Sequence, residues 1–109
     1  MNETLFAQVK RKLNITWSDE DTDNIVKDII DSAIPTMIHK IGIAEPDFDF
    51  STPGIENNLF RAYCLYEYNH CANEFDFNYS NDIAQARAIH ELKQYKETEE
   101  TEGTENAEA

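Results

Sequence analysis

Between residues 25 and 41 an apolar side chain returns every third or fourth position: Ile25, Val26, Ile29, Ile30, Ala33, Ile34, Met37, Ile38 and Ile41. That is the helical period, and over about five turns it draws one continuous face that must be covered. Gly42 is the natural stop, because glycine adopts the left-handed conformation that closes a helix. Upstream, Ser18, Asp19 and Asp21 offer capping oxygens for the first turn. Pro35 falls inside the face, lacks an N–H and crowds the carbonyl of Asp31, which predicts a kink or a break into two segments.

Three further helices are predicted. The first runs from Glu3 to Leu13, with Leu5, Phe6, Val9 and Leu13 as its stripe and Lys10, Arg11 and Lys12 in the last turn, where positive charge suits the helix dipole. Residues 44–52 read as a loop whose Phe48 and Phe50 lid the core. A third helix follows from Pro53, a residue tolerated at the first helical position, to Glu74, with Leu59, Phe60, Tyr63, Cys64, His70 and Cys71 on one face. Residues 75–82 read as a break. A fourth helix then spans Asp82 to Lys96, capped by Ser80 or Asn81, with Ile83, Ala86, Ile89 or His90, and Leu92 or Lys93 facing inward. Three glycines and three prolines are too few for many short strands. The expected fold is all-α: one bundle of four main helices over residues 1–96, then a tail at 97–109 without order of its own.

Charge narrows the partners. Twenty-two acids face nine bases, a net charge of −13. Residues 97–109 hold six of the acids and no base, so the remainder is still acidic at −7, 16 against nine. A field of this sign repels phosphate backbones and anionic membranes. A helix-turn-helix reader of DNA is the weakest option, because Asp19, Asp21, Asp23, Asp28 and Asp31 dominate the second helix, with only Lys27 and Lys40 in reply. The N-terminus has no secretory signal and no apolar run approaches the roughly 20 residues of a membrane span, so a soluble chain made in a cytoplasm is expected.

Catalytic patterns are sparse. Glu67 and His70 form the Glu-x-x-His half of a di-iron helical motif, but no second copy stands on another helix, and polar contacts at a helix interface are the plainer account. Cys64, His70 and Cys71 lack the paired Cys-x-x-Cys of a zinc site. Seven residues of helix would separate the two cysteines by about 10.5 Å, beyond the reach of a disulfide. No phosphate loop and no nucleophile elbow is present. The chain is expected to be no enzyme and to need no cofactor or metal.

The order of elements carries a resemblance. A short helix ending in Leu13-Asn14-Ile15, the acidic run Ser18-Asp19-Glu20-Asp21-Thr22-Asp23, a long amphipathic helix closed by Gly42, the aromatic Leu59–Asn69 segment and a last helix together look like the small head-tail connector, or head-completion, proteins of long-tailed bacteriophages. The resemblance covers residues 3–96. Pro35, the extra Phe48 and Phe50, and the acidic tail depart from the pattern.

The resemblance implies a virion protein at the head-tail interface, made in a bacterial host. It implies a ring, commonly of twelve copies, between the portal protein and a tail-side connector or stopper protein, through which DNA passes without specific binding. On that reading Asp19, Asp21, Asp23, Asp28 and Asp31 are the candidate channel or subunit-facing surface. Leu5, Phe6 and Trp17 are candidate interface anchors, with core packing as the alternative for them. The rival reading is an acidic DNA mimic that occupies a DNA-binding protein, which would present a regular double row of carboxylates.

Overall fold

A computed structural model describes residues 2–108, with side chains described for residues 2–96. The regular structure among them is helical: α1 (Glu3–Lys12), α2 (Glu20–Ile41), α3 (Ile55–Tyr68), a one-turn α4 (Phe75–Asn78) and α5 (Ser80–Glu108), with a 3₁₀ turn at Ala72–Glu74. The fold is the all-α bundle that the periodicity predicts. No described helix is long and apolar enough to cross a membrane. Beyond Lys96 only the backbone course of α5 is described. The expected tail without order of its own, 97–109, falls on residues whose side chains lie outside the described residues.

Side-chain oxygens start the first two helices. Asn2 accepts from the Leu5 N–H at 3.0 Å, and Asp19, rather than Ser18 or Asp21, accepts from the Thr22 N–H at 3.3 Å. Three helices then end in one and the same way. After α1, α2 and α3 a single residue turns left-handed: Asn14 (φ 60°), Gly42 (φ 78°) and His70 (φ 59°). In each case the next N–H reaches back five residues, Ile15 to Lys10 O, Ile43 to Ile38 O and Cys71 to Tyr66 O, at 2.9 to 3.0 Å. This is the Schellman closure, which satisfies carbonyls that a helix end leaves open. Ile15 and Ile43 are buried, so each closure also folds an apolar side chain back into the core.

Several boundaries differ from expectation, among them the start of α5 at Ser80, which takes the expected caps Ser80 and Asn81 into the helix. Pro35 does not break α2, which runs through it as one helix. Its ring lies on the exposed side, where the Asp31 carbonyl can turn to water, while Ala33 and Met37 on either side are fully buried and hold the register. Pro53 stands outside α3, since Gly54 at φ 157° and ψ −171° interposes a conformation that suits glycine. The left turn at His70 stops α3 six residues early. The expected break at 75–82 instead forms α4, because Phe75 is fully buried among the rings of Tyr63, Tyr66 and Tyr79 at 4.8 to 5.6 Å.

Packing centres on α2 and α3. Val26, Ile30, Ala33, Met37 and Ile41 of α2 have no exposed surface and meet Leu59, Phe60, Tyr63 and Cys64 of α3, with Leu5, Val9 and Leu13 of α1 completing the core. Both α1 and α5 touch the α2/α3 pair. The α1 helix is fixed to the N-terminal half of α2 by Lys10–Asp23 at 2.9 Å. The α5 helix caps the C-terminal end, where Arg87 donates to Lys40 O and Gln94 to Gly42 O.

The loop between α2 and α3 is tied down by a polar hub. Asn57 is buried, donates to Phe50 O at 2.7 Å and to Gln8 Oε1 at 2.8 Å, and accepts from Arg61 Nε at 2.9 Å. Gln8 donates onward to Ser51 O, so α1, the loop and α3 share one network. Phe50 is thereby held in the core, stacked on Phe60 at 4.6 Å. At the rim, the Ser51 hydroxyl, the Ser51 N–H and Asn2 all donate to Asp49 and hold its carboxyl below the ordinary value of 3.8.

Two tests follow from these closures and ties. Gly42→Ala meets no steric neighbour but forces an L residue into the left-handed turn, so it should lower stability by about 1–2 kcal/mol, and His70→Gly should raise it by up to about 1 kcal/mol; urea midpoints read both. Because the folded Asp49 pKa is depressed, its stabilisation is present above 3.8 and lost as pH falls through the folded value. Asp49→Ala should therefore flatten the acid limb of the stability curve and leave its slope above pH 5 unchanged.

Candidate functional site

The acidic residues singled out in the sequence do two different jobs. Asp19 is consumed as the N-cap of α2, accepting from both the N–H and the hydroxyl of Thr22. Asp23 is paired with Lys10. Asp21, Asp28 and Asp31 are exposed, and at 100° per residue they lie within about 80° of one another on α2. The candidate acidic surface is thus a narrow row of three, with Ile25 and Lys27 exposed on the same stretch of helix.

The anchors also separate. Leu5 is 3% exposed and belongs to the core, the alternative reading, because α1 turns that side onto α3. Phe6 is half-buried, with the ammonium groups of Lys10 and Lys27 over its ring at 5.4 and 5.6 Å. Trp17 is half-exposed; its indole donates to Thr22 Oγ1 at 3.3 Å and its carbonyl accepts from Lys10 Nζ at 2.8 Å. Phe6 and Trp17 therefore stand together at the corner between α1 and α2.

Glu67 and His70 come near each other in an unexpected setting. They line an open groove of about 650 Å³ with Ile25, Asp28, Ile29 and Tyr68. His70 sits in the left-handed turn rather than on a helical face, so the Glu-x-x-His spacing does not put both side chains on one helix surface. Glu67 accepts from the Tyr63 hydroxyl at 2.7 Å. Burial first, and then this carboxylate, push Tyr63 up to about 12. Among the described residues no three His, Cys, Asp or Glu side chains gather closely enough to hold a metal ion. Both cysteines are free thiols, and burial pushes Cys64 up to about 12, so that thiol is a packing group rather than a nucleophile.

A surface that sequence reasoning missed lies on α5. Its inward residues are Ile83, Ala86 and His90; His90 meets Glu56 Oε1 at 3.1 Å and the edge of Phe48 at 5.8 Å. Ile89 and Leu92, which the sequence left as alternatives for the inner side, point outward at 48% and 54% exposure, and Tyr95 at 65%. The signal was present, since the 3-4 spacing of 83, 86 and 90 fixes one face and leaves 88, 92 and 95 on the opposite one. Phe77, in α4, is 86% exposed.

Compared with known protein families, with curated proteins and with solved structures, the chain matches none.

Proposed function

We propose that this chain is a structural head-tail connector subunit of a tailed bacteriophage, a piece of a ring between portal and tail that extends the DNA exit channel in the virion. The supporting observation is the division of α2 into two faces. One face is sealed into the core; the other presents Asp21, Asp28 and Asp31 to solvent. A wall of such carboxylates, repeated by cyclic symmetry, offers a passing duplex no attractive phosphate site, so the duplex slides rather than binds.

The chemistry is one of placement rather than catalysis. Groups with the ingredients for reaction are otherwise engaged: Glu67 by Tyr63, Glu56 by His90, and Cys64 by burial. The DNA-mimic reading needs two regular rows of carboxylates. Exposed Ile25 and Lys27 flank the single row on α2 and take the places a second row beside it would need, which favours the connector reading.

Mixing the purified chain with the portal protein encoded beside it tests the proposal by native mass spectrometry, with a portal-free control. Many copies bound per portal ring are expected, even from a chain that is monomeric alone. A discrete monomer or dimer that ignores the portal would move the weight to the DNA-mimic inhibitor.

A further inference from the structure

We infer that the outer face of α5 is a docking surface for a second copy of this chain, and that it seats on the last turn of α1 and Trp17 of that copy. Ala84, Ala88, Leu92 and Tyr95 fall within about 80° of one another on α5, with Ile89 at the flank. All five are exposed, and the exposed Glu91 borders the strip beside Tyr95, on the side away from Ile89. A strip of this kind on a chain with 28% charged residues is a surface built to be covered.

Charge selects what covers it. The strip leads into a helical continuation whose sequence holds six acids and no base over 97–109. Two α5 helices laid side by side in parallel would oppose these acids and repel. The complementary surface is on the same molecule: Lys10, Arg11 and Lys12 crowd the last turn of α1, three of the nine cations in the chain. Lys10 is neutralised by Asp23, but Arg11 and Lys12 are exposed and form no ion pair with the described residues. Trp17, half-exposed and joined to Lys10 through its carbonyl, supplies the large apolar contact that such an interface centres on.

Geometry makes the contact head-to-tail. The α1 helix is fixed to the N-terminal half of α2 through Asp23, and α5 to its C-terminal end through Lys40 and Gly42. The two surfaces do not overlap, so one copy can use both at once. A contact between two different surfaces leaves a free surface at each end, which closes into a ring when the rotation permits. This gives the ring contact its residues and so rests on the connector reading for its setting, although its test needs no portal.

Sedimentation of the full chain up to sub-millimolar concentration supplies that test. The natural chain should self-associate, and less strongly at high salt. Leu92→Glu on one surface and the double variant Arg11→Glu, Lys12→Glu on the other should each weaken association by at least roughly tenfold. Circular dichroism checks their fold, with Tyr95→Glu as the second α5 variant. Each defective chain keeps one intact surface, so an equimolar mixture of the two should recover a 1:1 dimer. A natural chain that stays monomeric, variants that associate like it, or a mixture that stays monomeric would each overturn the contact. Head-to-tail association by a chain that ignores the portal would uphold this contact and remove the connector reading. A monomeric chain that still rings on the portal would do the reverse.

Discussion

The structure depends on the burial of one side of α2. Val26, Ile30, Met37 and Ile41 have no exposed surface, and each such side chain contributes about 1.5–3 kcal/mol by leaving water. Together with α3, its main packing partner, α2 touches both α1 and α5. Everything else is arranged around that face: α3 lies along it, α1 is fixed to its first turns, and α5 caps its last carbonyls. The price of such dependence is rigidity at the ends of α2, which the Asp19 cap and the Gly42 closure provide.

A helix with one side sealed has its other side free for function, and the two kinds of surface on this molecule follow from that. Carboxylates occupy the free side of α2, where they cost nothing in desolvation. The α5 helix is held by small or polar groups, Ala86, His90, Arg87 and Gln94, instead of by a thick apolar face. Of its larger apolar side chains only Ile83 packs on the core, and Ile89, Leu92 and Tyr95 are left outside. That outward apolar set is the least expected feature of the bundle and the one that most suggests assembly.

Much of the architecture was legible in the sequence because periodicity and helix-end chemistry are local. The stripe of α2, its stop at Gly42 and the basic last turn of α1 are all matters of spacing. What was not legible depended on long-range partners. The end of α3 is set by His70 adopting a backbone conformation more usual for glycine, and nothing in its neighbours along the chain announces that. Phe75 is core because Tyr63, Tyr66 and Tyr79 surround it, and Asn57 is buried because Gln8 and the Phe50 carbonyl meet it from elsewhere. Of the proposed sites, the acidic run was visible as composition, but which acids are free was not. The fold selects Asp19 from three candidate caps, and only the fold shows Asp23 spent on Lys10.

The central claim is that the free carboxylates of α2 face the path of the genome. Reversing Asp21, Asp28 and Asp31 to lysine in assembled virions tests it most directly, with the rate of DNA release as the readout and the unfolding midpoint of the isolated variant as the control. These side chains are exposed, so the account predicts slowed or trapped release with stability altered by no more than about 0.5 kcal/mol at Asp28 and Asp31 and by about 1 kcal/mol at Asp21, where a lysine in the first turn opposes the helix dipole. Release and infectivity at the normal level from virions that carry the stable variant would contradict it.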